Sequence, residues 1–174
     1  FMKWVSATTA TLMLPPMFAP LVAEATELMN RVPVIWIELQ DCAGNTEALL
    51  RSSAPTVDDL LFDVLSLEFH HALMACAGND AEHQLDDAVE HFKGKYLLFV
   101  EGSIPTAMNG NYGTIGPSGE TFQEHLARLS KDAAAIVAVG TCATFGGVPA
   151  ASPNPTGAVG VMDLVKGKPI VNIP

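Results

Sequence analysis

Apolar residues along the chain fall into short unbroken runs, separated by stretches in which they recur every three or four positions. After Pro33, the run Val34-Ile35-Trp36-Ile37 through Leu39 is short, partly β-branched and bounded by polar turn residues, which predicts a first strand. Tyr96 to Val100, leading into Glu101-Gly102, predicts another, as do Ile136 to Val139 and Pro169 to Ile173. Between them, Ala81, Leu85, Ala88, Val89 and Phe92 mark a helix over Asp80 to Phe92 that Gly94 stops, and Phe122, Leu126 and Leu129 mark a second. A short helix is expected over Thr46 to Arg51, with Asn45 ahead of Glu47 as its start signal, and another near Val161 to Val165. Asp58 to His70 has mixed periodicity, helical at Leu60, Leu61, Val64 and Leu65 and alternating near its end. It predicts a helical start and a terminal strand. Ser103 to Gly119 is rich in Gly, Pro and Asn and too long for an ordinary connection, so it is expected to be a functional loop.

Strands alternating with helices imply parallel crossovers and an α/β fold, a three-layer sandwich around a parallel sheet of flavodoxin-like strand order. Residues 1–25 read as a targeting remnant and 26–174 as one domain. The apolar run Trp4 to Val22 follows a lone Lys3 and is interrupted by Pro15, Pro16 and Pro20, each costing about 3 kcal/mol in a helix interior. Ala23-Glu24-Ala25 gives the small-x-small pattern of a cleavage site, and Phe1-Met2-Lys3 resembles the tail of a twin-arginine motif. An ordinary apolar N-terminal helix is the alternative.

Composition changes the picture mainly by exclusion. The 49% apolar and 16% charged content excludes a disordered chain, and a net charge of -10 without a basic stripe argues against nucleic acid as a partner. Three cysteines are too few for a disulfide scaffold. Two of them, Cys42 and Cys142, follow predicted strands. In an open parallel sheet, chemistry collects at the carboxyl ends of strands, so the two thiols point to metal, disulfide or redox chemistry at a shared rim. Glu101 ends the third strand on the same rim. Gly44, Gly140 and Gly146 would let backbone approach a cluster. Spacing alone also permits plain structural cysteines, and a strand-end Glu101 that only caps a helix or pairs a cation.

The ordered segments Val34-Ile35-Trp36-Ile37, Cys42-x-x-x-Thr46-Glu47, Leu50-Arg51-Ser52, Leu73-Met74-Ala75-x-Ala77-Gly78, Val100-Glu101-Gly102-Ser103-Ile104-Pro105, Gly140-Thr141-Cys142-Ala143-Thr144-Phe145-Gly146-Gly147, Pro153-Asn154-Pro155-Thr156 and Lys168-Pro169-Ile170-Val171-Asn172-Ile173-Pro174 together resemble the small subunit of nickel–iron hydrogenases. The resemblance implies an electron-transfer subunit for reversible H2 oxidation, with a proximal [4Fe–4S] cluster facing the nickel–iron centre of a large partner subunit. It implies Cys42 and Cys142 as cluster ligands, Glu101 beside the cluster, and Gly44 and Thr141 lining it. A third ligand is expected in a Gly-Cys-Pro turn after the last strand, ahead of a C-terminal cluster region. Export to the periplasm or the outer face of the membrane, membrane association through partners, and a downstream acceptor such as a cytochrome follow from the same resemblance.

One position departs from that family. Asn45 stands where a second cysteine is usual, which leaves an oxygen ligand, a [3Fe–4S] cluster, or a ligand from Asp41 as alternatives. The runner-up families are the related 20 kDa quinone-oxidoreductase subunit and a cluster-free flavodoxin-like module. Cys76 is expected to be a small buried hydrophobe and Trp36 a core residue. The adjacent His70 and His71 are expected to be satisfied by core or solvent, and His83, His91 and His125 to be exposed on helices.

Overall fold

The computed structural model describes residues 31–174. The predicted targeting segment therefore lies outside the described residues. Its central feature is a five-stranded sheet made of β1 (Val32–Glu38), β2 (Leu65–His70), β3 (Leu97–Glu101), β7 (Ala135–Val139) and β9 (Ile170–Ile173), in the order β2-β1-β3-β7-β9. Every pairing is parallel. In order of appearance this is the flavodoxin-like arrangement that the sequence predicts.

Burial explains the unbroken apolar runs. Val34, Ile35 and Ile37 of β1 and Leu98 and Val100 of β3 are fully buried, as strands covered on both faces must be. The principal helices are α1 (Gly44–Leu50), α2 (Asn79–His91), α3 (Phe122–Asp132), α4 (Gly140–Phe145) and α5 (Val161–Leu164). Leu85 and Ala88 of α2, Leu126 and Leu129 of α3, Ala143 of α4 and Val161 of α5 join the strand residues in one core. Thr121 and Glu124 close a capping box at the start of α3, each side chain bonding the other's backbone N–H. The mixed segment resolves as expected: a helical turn Val57–Asp59, a π-helical turn Leu60–Val64, then β2. Among the described residues, no helix is long and apolar enough to cross a membrane.

Two segments differ from expectation. Ser103 to Gly119 is not a plain loop. It holds β4 (Ile104–Pro105), a 3-10 turn (Ala107–Gly110) and β5 (Thr114–Ile115). β4 pairs with β8 (Ala158–Val159), and β5 forms a hairpin with β6 (Glu120–Thr121). Cys142 follows the strand β7 as expected, but lies inside the helix α4, which the sequence pattern did not announce.

Register brings the strand ends level. Glu38 pairs with Glu101, Glu101 with Val139, and Val139 with Ile173. Four strands thus stop along one row, and the chain leaves that row toward Cys42 and Cys142.

Candidate functional site

Glu101 sits at the middle of this row, fully buried. Its Oε1 accepts the backbone N–H of Asn45 at 2.8 Å and the Asn45 side-chain amide at 3.2 Å. Its Oε2 accepts the Thr46 hydroxyl at 2.7 Å, the Thr46 N–H at 3.2 Å and the Trp36 indole N–H at 3.3 Å. Helix α1 begins at Ala43 in a left-handed conformation (φ 55) with no side-chain cap of its own. Glu101 supplies that cap from another strand, satisfying the orphan N–H groups of the first turn with a charged acceptor. Asn45 therefore lies inside α1 and is not its N-cap, because the cap comes from β3.

Thr46 is the hub behind Glu101. The Ala72 N–H bonds His70 Nδ1 at 3.2 Å, so the neutral imidazole carries its proton on Nε2, 3.3 Å from the Thr46 hydroxyl oxygen. The single Thr46 proton goes to its shorter partner, Glu101. Glu38 Oε1, 3.0 Å from the same hydroxyl, is its second and longer acceptor. Burial pushes the Glu38 carboxyl above its usual range, the Thr46 hydrogen bond opposes this, and the Glu101 charge adds to it. Asp41 is pushed up to about 6, first by burial, against the Ala43 N–H bond, with Glu38 and Glu101 adding repulsion. Its Oδ2 is buried without a hydrogen-bond partner. Oxygens of Glu38, Asp41 and Glu101 lie within 4.8 Å of one another, a close cluster of three carboxylates at the strand ends.

The thiols stand in front of this network. Cys42 is exposed, Cys142 partly exposed, and both are free. Glycines make room for each. A Cβ on Gly44 would lie 3.1 Å from Cys42 Sγ, and one on Gly147 would lie 2.5 Å from Cys142 Sγ. The two cysteine-bearing elements meet through Asn45: a Cβ on Gly140 would fall 2.2 Å from its Nδ2. The structure thus brings together Cys42, Gly44, Asn45, Asp41 and Glu101 with the first turn of α4. Thr141 lies in that turn with an exposed side chain. Two free thiols in a cradle of side-chain-free backbone fit an iron–sulfur group, whose ligands are thiolates and whose sulfides need close backbone approach.

Other expectations need correction. Cys76 is not a buried hydrophobe: it is partly exposed, and its Sγ donates to Gln84 Oε1 at 2.8 Å. His125 is fully buried rather than exposed, because Glu120 Oε2 accepts its Nδ1–H at 2.8 Å and is itself held by Arg128. His83 and His91 are exposed as expected, and Trp36 is buried, stacked on His70. Sequence reading did not single out Glu38, and it marked Thr46 only as part of the Cys42-x-x-x-Thr46-Glu47 segment and as a helix start. The alignment of run ends at Glu38 and Glu101 is the signal that could have found the first.

A family profile described as NADH ubiquinone oxidoreductase, 20 Kd subunit, matches residues 42–174. The chain is 51% identical over 174 residues to the quinone-reactive Ni/Fe-hydrogenase small chain of Wolinella succinogenes, covering 100% of this chain and 49% of that protein. It is 44% identical, again over its whole length, to the hydrogenase-2 small chain of Escherichia coli K12, covering 46% of that protein. It thus spans about half the length of the curated relatives it matches. Among solved structures, a reduced, active form of the Ni-Fe-Se hydrogenase from Desulfomicrobium baculatum superposes with a TM-score of 0.80 at 39% identity, covering 83% of this chain and 56% of that one.

Proposed function

Because the chain belongs to the family of the NADH ubiquinone oxidoreductase 20 Kd subunit, and is a homologue of nickel–iron hydrogenase small subunits, we propose that it is the electron-transfer small subunit of a nickel–iron hydrogenase. In this reading it holds an iron–sulfur cluster at Cys42 and Cys142 and docks a large subunit that carries the nickel–iron centre. The observation that carries the reading is the meeting of the Cys42 turn and the Cys142 helix, through Asn45 and Gly140, above Glu101.

The cluster would supply one-electron storage between the hydrogen-splitting centre and a downstream acceptor such as a cytochrome. This chain's own residues do the rest. Cys42 and Cys142 provide thiolates, Gly44 and Gly147 let the backbone close on them, and Glu101 fixes the α1 turn that positions Cys42. Exposed Phe145 and Val148, just beyond Cys142, offer the partner an apolar contact that would also keep water from the site. A [4Fe–4S] cluster is the favoured type, with its remaining ligands supplied outside Cys42 and Cys142. The periplasmic [NiFe] hydrogenase small subunit 1 of Nitratidesulfovibrio vulgaris, 42% identical over 166 residues, supports an exported protein.

The test is iron and acid-labile sulfide analysis of the full-length chain copurified with its large subunit, with electron paramagnetic resonance under H2. Cys42→Ser and Cys142→Ser are each expected to abolish the signal of the cluster nearest the partner. Unchanged spectra in both variants would refute the assignment. The description of the matching family favours a second reading, the quinone-oxidoreductase subunit. It predicts a complex whose cluster H2 does not reduce.

A further inference from the structure

Asn45 stands three residues after Cys42, inside α1, and its side chain is clasped from two sides. Its backbone N–H and its side-chain amide converge on a single oxygen, Glu101 Oε1, at 2.8 and 3.2 Å. Gly140, two residues before Cys142, presses against the other side of the same amide, so close that a Cβ there would lie 2.2 Å from Nδ2 and 2.7 Å from Oδ1. Resting on the reading that Cys42 and Cys142 hold a cluster, we propose that Asn45 is a positioning residue for Glu101 and not an iron ligand.

The chemistry of the amide separates the two roles. Its Nδ2 has no lone pair to give a metal, so only Oδ1 could ligate, and a neutral carboxamide oxygen competes poorly for iron beside thiolates. Swinging Oδ1 toward a metal would withdraw Nδ2 from Glu101. A fully buried carboxylate would then lose one of its donors, in a setting where such bonds to charge matter most. The residue type fits the donor role closely. Aspartate would place a second carboxylate oxygen about 3.2 Å from Glu101 Oε1, and alanine would remove the donor and open space over Gly140. Asn45 therefore ties the Cys42 turn, the Glu101 charge and the Cys142 helix into one unit. By partly neutralising Glu101 it also sets how strongly that carboxylate opposes an added electron.

The experiment compares wild type, Asn45→Ala, Asn45→Asp and the Asn45→Asp/Glu101→Gln double variant in the full-length chain with its large subunit, with Cys42→Ser as the control for the cluster. Iron and sulfide per complex, Mössbauer parameters and the reduction potential of the cluster are read. Asn45→Ala should keep wild-type iron content and the same signature at every iron, while lowering the potential. Asn45→Asp should lower it further. The double variant returns the pair to one carboxylate with donor and acceptor exchanged, and should move the potential back toward wild type. Loss of an iron, or a changed signature at a single iron, in Asn45→Ala would make Asn45 a ligand and overturn the proposal. If Asn45→Ala does not assemble, the double variant decides: failure to recover the potential of Asn45→Asp overturns it equally. A wild-type spectrum in Cys42→Ser instead removes the cluster reading beneath it.

Discussion

His71 Nδ1 accepts the backbone N–H of Glu38 at 2.9 Å, which joins the end of β2 to the end of β1 and fixes His71 as a neutral imidazole with its proton on Nε2. Its ring stacks on that of His125 at 5.8 Å between centroids. Protonating Nδ1 would break the bond to Glu38, so the residue resists charging in the native state.

Acid should therefore destabilise the fold. Burial, and then the neighbouring His125 and His70, push His71 from 6.5 down to about 4, and burial does the same to His70 against the pull of Glu101. Between those values the unfolded chain binds more protons than the native one, so stability rises with pH across the window and is lost as pH falls through it. Asp41, raised from 3.8 to about 6, has the opposite sign and offsets part of the loss. Thermal unfolding of the purified complex should show a midpoint that drops from about pH 7 to about pH 5. His71→Gln, which keeps an acceptor for the Glu38 N–H, should flatten that slope. An equally steep slope in the variant would exclude His71 as a source.

Glu101→Ala should be the most damaging single change in the hub. It leaves the donors of Trp36, Asn45 and Thr46 without their acceptor, at a cost of about 1–3 kcal/mol for each donor left buried and unpaired. Glu101→Gln keeps the shape but turns an acceptor into a donor that faces other donors, for about 1–3 kcal/mol. Denaturant titration should rank the two in that order. The reverse order would mean that an amide donor facing other donors costs more than losing the acceptor altogether.

Gly147→Ala should disturb the thiol directly. The backbone there has φ 57 and ψ -146, a region held almost only by glycine, and a Cβ would meet Cys142 Sγ at 2.5 Å. The strain is about 1–3 kcal/mol, and the iron content of the complex should fall with it. Gly167→Ala is the matched control, since its φ is +75 but nothing lies within 4 Å of the new methyl. It should cost stability and keep iron. Equal iron loss in both would attribute the effect to global unfolding.

Trp36→Phe removes one donor from Glu101 while keeping a ring against His70 and Phe99. The expected loss is about 1–2 kcal/mol in denaturant unfolding, well below that of Glu101→Ala. A loss as large as that of Glu101→Ala would show that the indole packs as a wedge rather than serving as one donor among several.

What the sequence displays here is what repeats or stays local. Val34 to Ile37 reads as a strand buried on both faces because such strands need no alternation, and the cysteine positions follow from where the runs end. Even the strand-end reading of Glu101 as a helix cap is realised, since it caps α1. Non-local partners were illegible. Asn45 has the look of an N-cap, yet its cap is a carboxylate 56 residues away. His125 sits among Glu124, Arg128 and other polar neighbours that suggest solvent, but Glu120 and Arg128 close over it. The two-residue strand β4 gains its identity only from β8, more than fifty residues later. Gly140–Phe145 has too few strong helix formers to announce a helix, and the turn into it depends on Gly140 at φ +82.

The span of the contacts around Glu101 has a consequence for the order of events in the cell. Trp36 waits for a partner 65 residues downstream, and Asn45 meets Gly140 only after most of the domain has been synthesised. A nascent chain bearing Cys42 alone has neither its capped helix nor the opposing thiol, so it offers incoming iron a single unorganised sulfur. On the reading that Cys42 and Cys142 hold a cluster, loading would wait until the sheet has closed through β7, and the fold itself would act as the checkpoint for maturation.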